Sequence, residues 1–331
     1  MSKLVVHKYG GSSLSTPELI KSIAQKVNQL RKDNTKIIMV VSAMGTHTNE
    51  LIKLAHQVSP TPNPRELDML LTTGERVSMA LMCMALNDLD CPSISFTGSQ
   101  AGILTDGSHN DATILNIKPI RIEEELKGEK VIVIAGFQGV DPKTKEITTL
   151  GRGGSDTTAV ALAAHFGASS CEVFKDTDGV YSADPNSVDG TIHYDRLSYS
   201  QAMKLSANGA KVLHHKCVEF AKEKQTPIIV SASHYNGKTT LISGEAADFE
   251  PEQCYGVTTS PVDENEVKAH LIFEKNINKG LLPQIEEAFS KKSIEFEFTD
   301  FMQDTLGIRL QSHQTKPALQ ILHDICINSS N

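Results

Sequence analysis

The sequence contains no tryptophan, and aromatic residues make up only 5% of the chain. A nucleic-acid platform built from stacked aromatic side chains is therefore not expected. Positive charge is also scarce, because 32 Lys and Arg stand against 40 Asp and Glu and leave a formal net charge of −8. This balance argues against a general polyanion-binding surface, so no nucleic-acid partner is expected and any cationic site must be local.

Paired cysteines and long apolar runs are missing as well. The six cysteines form no CxxC pair and most lie in apolar segments, so we expect buried, reduced thiols. The apolar run in the N-terminal "MSKLVVHKYGG" is too short for a signal peptide, and no later run approaches a membrane span. The sequence thus favours a cytoplasmic protein without a membrane partner.

Strand-like and helix-like segments alternate along most of the chain. Continuous apolar segments such as "KLVVHKYG", "TKIIMVVSAMG", "KVIVIAGFQGV" and "TPIIVSAS" are typical of buried strands, and helical periodicity separates them. This alternation predicts the α/β class, with a mostly parallel sheet sandwiched by helices. We also expect a long helix over 63–89 with a break near Gly74, and a hairpin that ends at Leu150.

The C-terminal part of the chain has a different composition. At 331 residues there is room for one large domain and one smaller domain. An acidic, proline-containing connector at about 243–253 separates them, so we expect a main domain over 1–243 and a small α+β module over 254–331. The segments of this module suggest a β–α–β–β–α order.

Three glycine-rich segments follow or flank predicted strands: "KYGGSS" (8–13), "LGRGGSD" (150–156) and "TDGVYSADP" (177–185). Ligands of open parallel sheets bind at the carboxyl ends of the strands, where glycines let backbone amides approach an anion. Each segment alone could be a simple turn, but three with embedded charges favour an anion site. Known phosphate motifs do not fit, because "YNGKTT" (235–240) lacks the earlier glycine of a Walker A loop and Asp156 breaks the dinucleotide fingerprint.

Six motifs resemble, in order and spacing, the aspartate kinase family of the amino-acid kinase fold. They are "KYGGSS", "VVSAMGTHTNEL" (40–51), "LLTTGERVS" (70–78), "TTLGRGGSDTTA" (148–159), "DTDGVYSADP" (176–185) and "NGAKVLHHK" (208–216). The resemblance covers roughly 1–235. The tail is loosely similar to the ACT-type regulatory modules of that family, which carries two of them where this chain has room for about one.

The resemblance implies phosphorylation of the side-chain carboxylate of L-aspartate by ATP with Mg²⁺, giving 4-phospho-L-aspartate, the first step of lysine, methionine and threonine biosynthesis. The nucleophile would already be ionised at neutral pH, so no general base is needed. The difficulty is that one anion must attack another. Catalysis then depends on holding the two reactants in line and neutralising their charge.

The resemblance also implies roles for individual residues. Lys8 would contact the transferring phosphoryl group, and Asp156 would hold Lys8 in place and influence where Mg²⁺ lies, although no residue is assigned as a metal ligand. Arg152 offers a planar fork for the substrate's α-carboxylate. The other substrate-binding residues expected are Ser155 beside Arg152, Glu75 for the α-ammonium group, and Ser42 and Thr48 as pocket lining. The nucleotide-binding residues expected are Lys8, Tyr9, Gly10, Gly11, Ser12, Lys175, Asp176, Asp178, Tyr181 and Lys211.

Alternatives remain open at this point. Glu75 with Arg76 could be a solvated helix pair, and Asp156 could be a helix N-cap. Asn186, Lys175 and His215 depart from the family pattern at positions that bear on nucleotide binding. The family further implies a homodimer and an amino-acid effector. Besides an aspartate kinase, the sequence allows a related carboxylate kinase with another substrate, or a catalytically silent subunit that senses an amino acid.

Overall fold

The computed structural model describes residues 3–32, 35–210, 212–245 and 247–327. These residues form two compact units. Unit 1 comprises Met1–Asp178 and Lys216–Ser243, and unit 2 comprises Gly179–His215 and Gly244–Asn331. Residues 179–215, which lie inside the expected main domain, thus belong to the compact unit that contains the C-terminal part, and the expected boundary at 243–254 stays a prediction.

The strands of the described residues are, in chain order, β1 (Lys3–Tyr9), β2 (Thr35–Val41), β3 (Ser93–Phe96), β4 (Ile103–Thr105), β5 (Ile114–Ile117), β6 (Val131–Ala135), β7 (Gln138–Val140), β8 (Ile147–Thr149), β9 (Cys171–Lys175), β10 (Val180–Tyr181), β11 (His193–Tyr194), β12 (Arg196–Ser198), β13 (Ile228–Ala232), β14 (Thr239–Ser243), β15 (Cys254–Pro261), β16 (Glu266–Phe273), β17 (Phe296–Phe301) and β18 (Thr305–Gln311). The α-helices are α1 (Pro17–Lys32), α2 (His47–Val58), α3 (Pro64–Asn87), α4 (Ile120–Lys127), α5 (Gly154–Phe166), α6 (Tyr199–Ala207), α7 (His215–Lys224), α8 (Leu282–Lys291) and α9 (Thr315–Cys326).

The main sheet of unit 1 has the strand order β14-β13-β9-β1-β2-β6-β3. All neighbouring strands in this series are parallel except β13 and β14. Successive side chains of a strand point to opposite faces of the sheet. On β1, Val5 and Tyr9 therefore pack in one apolar cluster with α1 and α3, whereas Lys8 lies on the other face and contacts α5. Helices cover both faces, and the predicted α/β class is confirmed.

A second sheet of unit 1, with the order β5-β4-β7-β8, contains the expected hairpin. β7 and β8 pair antiparallel, and the chain leaves β8 directly into the glycine-rich segment 150–156. The expected break near Gly74 is wrong, because α3 runs without interruption from Pro64 to Asn87. Gly74 instead permits a close approach, since a Cβ atom there would lie only 2.8 Å from the Cβ of Ala43.

By length and composition, α3 is the one helix of the described ranges that could cross a membrane, although no membrane span was expected from the sequence. Half of its apolar window is buried inside the protein. It also carries two acidic side chains, Asp68 and Glu75, that are buried and hydrogen-bonded within unit 1. These are the properties of a core helix. The expectation of free, buried cysteines is confirmed for all six.

Unit 2 contains an antiparallel sheet with the order β15-β16-β18-β17, against which α8 and α9 pack. Its element order over 254–326 is β–β–α–β–β–α, so the expected β–α–β–β–α order missed one strand. Ser182 and His323 join the segment 179–215 to α9 inside this unit, with 2.8 Å between Oγ and Nε2. The small α+β character is as expected, and the ACT-type assignment stays a prediction.

Candidate active site

A cleft of about 790 Å³ opens in unit 1 at the carboxyl ends of β1, β2 and β6. The first turns of α2 and α5 and the middle of α3 complete its wall. This is the edge of a parallel sheet where ligands of such folds bind. The predicted site residues that line it are Lys8, Gly11, Ser42, Thr48, Glu75, Arg152, Ser155 and Asp156.

Two lysines and one aspartate form a charge cluster beside the cleft. Nζ of Lys8 lies 2.6 Å from Oδ1 of Asp156, and Nζ of Lys175 lies 3.5 Å from Oδ2 of the same carboxylate. Burial alone would raise the pKa of Asp156, but the charges of Lys175 and Lys8 outweigh it and hold this pKa below its usual range. Burial lowers the pKa of Lys8 despite the opposing charge of Asp156. Two ammonium groups thus share one carboxylate, and an added anion can neutralise the remaining positive charge.

The start of α5 explains why the glycine-rich segment has its composition. Gly151 and Gly153 adopt φ values of 69° and 75°, a region that favours glycine. Gly153 is the N-cap, so Asp156 is a residue of the first helical turn and not the cap that one alternative suggested. The positive end of the helix therefore adjoins the cleft. Arg152 is exposed there, and within the part of the chain that the structure describes no carboxylate forms an ion pair with it.

Glu75 lies on α3 and is only 3% exposed, which excludes the alternative of a solvated helix pair. Its Oε1 accepts a hydrogen bond of 3.0 Å from the backbone N–H of Ala43. Its Oε2 is buried, and none of the residues that the structure describes forms a hydrogen bond with it. Burial raises the pKa of Glu75 from 4.5 to about 7, although the Ala43 amide acts in the opposite direction. A cationic ligand would satisfy the free oxygen and stabilise the ionised form.

The loops after β1 and β2 are held against each other at the cleft. The carbonyl of Gly11 accepts from the backbone N–H of Gly45 at 2.9 Å. A Cβ atom on Gly11 would lie 2.8 Å from the carbonyl oxygen of Ala43, so a larger residue would force the loops apart. Glycine at position 11 therefore keeps this backbone close to the cleft.

The other expected nucleotide-binding residues that the structure describes are not part of the cleft lining. Tyr9 is buried on the opposite side of β1 and stacks on Phe174, with 4.6 Å between ring centroids. Asp178 accepts a hydrogen bond of 3.0 Å from the backbone N–H of Lys238. Gly10 and Ser12 follow β1, Asp176 is exposed after β9, Tyr181 belongs to unit 2, and Lys211 lies outside the described residues.

A buried network around Asp68 was missed by the sequence analysis. Asp68 is 0% exposed, and its carboxylate accepts from Oγ1 of Thr149 at 2.5 Å, from Nδ1 of His109 at 2.7 Å and from the backbone N–H of Asn110 at 3.2 Å. Thr149 and Asn110 both line the cleft. No local pattern marks these residues, because Asp68 lies 41 positions from His109 and 81 from Thr149 in the sequence.

Within the described residues, no group of three His, Cys, Asp or Glu side chains is arranged to hold a metal ion. Of the carboxylates in the described ranges, Asp156 is the one that forms ion pairs with Lys8 and Lys175. A single carboxylate is compatible with Mg²⁺ that is held mainly by phosphate oxygens and water. The donor set therefore fits a metal bound together with a nucleotide, and not a metal held by the protein alone.

Residues 3–231 match the Amino acid kinase family. The chain is 44% identical over 269 residues to an aspartokinase of Mycolicibacterium smegmatis, covering 81% of this chain and 64% of that protein. The solved aspartate kinase of Synechocystis is 33% identical with a TM-score of 0.65, covering 98% of this chain and 56% of that one. Escherichia coli aspartokinase III, solved in complex with aspartate and ADP, has a TM-score of 0.68 at 21% identity, covering 94% and 79%, and shows a shared fold. The chain therefore spans less than two thirds of the curated relative that it matches.

Proposed function

The chain belongs to the amino acid kinase family, and we propose that it transfers the terminal phosphoryl group of ATP to the side-chain carboxylate of L-aspartate. The product would be 4-phospho-L-aspartate, the first intermediate of lysine, methionine and threonine biosynthesis. The observation that supports this most is that one cleft contains both the buried Lys8 and the buried Glu75, whose Oε2 has no hydrogen-bond partner among the described residues. The first suits a phosphoryl group and the second an amino group.

The lysine cluster addresses the main obstacle to the reaction. Two unit charges about 4 Å apart interact by roughly 4 kcal/mol at an effective dielectric constant near 20, so an anionic nucleophile and a phosphoryl group repel each other strongly. Lys8 and Lys175 lie within 2.6 and 3.5 Å of Asp156, which fixes the position of both ammonium groups. Lys8 is assigned to the transferring phosphoryl group, and Asp156 acts as the residue that positions it.

The opposite side of the cleft suits an amino acid. Glu75 offers Oε2, which is buried and receives no hydrogen bond from the described residues, to the α-ammonium group. Arg152 is exposed at the cleft and can bind the α-carboxylate with two parallel hydrogen bonds. Ser42, Thr48 and Ser155 line the space between them and complete the substrate pocket.

The nucleotide is assigned to the side of the cleft formed by the loop after β1. Backbone amides of Gly10 and Gly11 approach the phosphates, and Lys175 contributes positive charge nearby. Asp156 would influence where Mg²⁺ lies, and Mg²⁺, when bound, would supply charge neutralisation between the phosphates. Ser12, Asp176 and Asp178 remain assigned to nucleotide binding as part of the same proposal, and the assignments of Tyr9, Tyr181 and Lys211 stay predictions.

The proposal includes a cytoplasmic homodimer and an amino-acid effector that binds to the C-terminal module. This part of the proposal rests on the resemblance to the aspartate kinase family alone. Sedimentation of the chain with and without lysine or threonine tests both points. A monomer that binds neither amino acid would contradict this part of the proposal and leave the activity untouched.

The activity is tested by coupled ADP release with aspartate, glutamate or N-acetylglutamate as acceptor, and by trapping the acyl phosphate with hydroxylamine. We expect ADP and hydroxamate with aspartate alone. Turnover with one of the other acids would instead identify a related carboxylate kinase. Binding of an amino acid by calorimetry without any turnover would identify a sensing subunit. Lys8→Met serves as the control, since the release of ADP and the formation of acyl phosphate should fall together in it.

A further inference from the structure

We infer that Asn110 is a specificity-determining residue, whose side-chain amide binds the α-ammonium group of the amino-acid substrate together with Glu75. This inference rests on the proposed function, because it assigns a second contact in the same substrate pocket. Asn110 lies in the loop between β4 and β5, outside every motif that the sequence analysis identified. Its place in the cleft wall results from the fold alone.

Among the described residues, two buried acceptor atoms of the cleft have neither a hydrogen bond nor an ion pair: Oδ1 of Asn110 and Oε2 of Glu75. A buried acceptor that lacks a donor costs roughly 1–3 kcal/mol, so two such atoms in one cleft indicate a ligand that supplies donors. An ammonium group has three donors and no acceptor, which matches a pair of acceptors. The last torsion of an asparagine side chain is soft, so the amide can turn toward a ligand.

The backbone of Asn110 is fixed in a conformation that few residues adopt. Its φ is 67°, and its N–H donates to both carboxylate oxygens of Asp68 at 3.2 Å. On the other side, a Cβ atom on Gly151 would lie 3.0 Å from the Asn110 carbonyl oxygen, so the loop lies directly against the segment that contains Arg152. Such a conformation persists only where the surroundings determine it, and here they are the fully buried Asp68 and the Gly151 backbone.

Asparagine combines two properties at this position. It tolerates a left-handed backbone better than most residues, and it still offers a polar group to the cleft. Glycine would satisfy the backbone equally well but would provide no acceptor. The same positive φ makes Asn110→Gly a clean deletion of the side chain, because the substitution introduces no backbone strain.

Calorimetric titration of the whole protein with aspartate and with succinate tests the inference, since succinate is aspartate without its ammonium group. Asn110→Gly should weaken aspartate binding about tenfold, the effect of losing one charge-assisted hydrogen bond, and leave succinate binding unchanged. Asn110→Asp, which keeps the acceptor and the shape, should bind aspartate at least as tightly as the wild type. Asp90→Gly is the matched control, because Asp90 is an exposed non-glycine residue with a φ of 54° that does not line the cleft.

Two results would overturn the assignment. Aspartate binding by Asn110→Gly that equals the wild type, at an unchanged melting temperature, would show that the side chain makes no contact. Equal weakening of aspartate and succinate, or weaker aspartate binding by Asn110→Asp, would show that the amide nitrogen binds a carboxylate instead. Wild-type turnover is measured separately. A chain that binds aspartate without phosphorylating it would refute the proposed function, and the role of Asn110 would still be tested by the aspartate and succinate affinities of the variants.

Discussion

Replacing Glu75 by glutamine should raise the stability of the fold and weaken the binding of aspartate. Its carboxylate is buried. One oxygen accepts a hydrogen bond from the backbone N–H of Ala43, and the other has no partner in the described ranges of the chain. Glu75→Gln keeps the shape and the acceptor for the Ala43 amide but removes the charge. Above pH 7 the wild-type protein holds an uncompensated charge in its interior, and the variant does not. We therefore expect the variant to be more stable than the wild type and unable to bind aspartate tightly.

The magnitude follows from the shift of the pKa from 4.5 to about 7, which corresponds to roughly 3 kcal/mol. Because the pKa is raised in the folded state, the stabilising contribution of the protonated group is fully present below pH 4.5 and is lost as the pH rises through about 7. At pH 8 the variant should gain up to roughly 3 kcal/mol, or roughly 6–12 °C in melting temperature for a unit of this size. At pH 5 the gain should fall below about 1 kcal/mol.

Differential scanning calorimetry at pH 5 and pH 8, with and without saturating aspartate, measures both effects. Aspartate should raise the melting temperature of the wild type and leave that of the variant nearly unchanged. Glu123→Gln, on the exposed face of α4, controls for the loss of a carboxylate in general. A Glu75→Gln protein that melts below the wild type at pH 8 would refute the reasoning, because the Glu75 charge would then be compensated in the folded state.

Three further predictions concern the same cleft. The affinity of the wild type for aspartate should fall roughly tenfold from pH 8 to pH 6 as Glu75 takes up a proton, and a flat calorimetric pH profile would contradict this. Lys8→Met should lower kcat at least about a hundredfold with an unchanged circular dichroism spectrum, and near-normal turnover would show that Lys8 does not contact the phosphoryl group. Asp156→Asn should lower the free energy of unfolding by roughly 3 kcal/mol, because two ammonium groups lose their carboxylate. Denaturant titration measures this change, and an unchanged free energy of unfolding would show that Asp156 does not stabilise the two lysines.

The sequence predicted the main sheet and much of the cleft because both depend on short-range patterns. Parallel strands end at one edge of a sheet, so motifs that follow β1 and β2 are brought together by the topology. Lys8 and Asp156 were expected to interact and lie 2.6 Å apart. The six motifs within 1–235 predicted the amino-acid kinase fold, and membership of the amino acid kinase family is confirmed by the match over residues 3–231.

What the sequence did not predict depends on contacts between distant segments. Asp68 sits in the run "RELDMLL", where an aspartate on a helix is usually solvated, yet it is fully buried and accepts hydrogen bonds from three residues. Gly74 was expected to break α3, but its small size serves the approach of Ala43 to the helix. Neither role has a local signature, because each depends on a partner supplied by another part of the fold.

The charges around the cleft narrow the substrate class further than any single residue does. On the proposed assignment, Glu75 binds a cationic group of the substrate and Arg152 binds an anionic group. Lys8 and Lys175 accommodate a second anionic group of the substrate next to the phosphoryl group. A molecule with one ammonium group and two carboxylates satisfies all three, and an acidic amino acid is the smallest that does. Aspartate and glutamate carry the same charges and differ by one methylene, which a pocket discriminates by only roughly 1–3 kcal/mol. Charge therefore selects acidic amino acids as a class, and the distance from Arg152 to the Lys8 cluster must select the chain length within it.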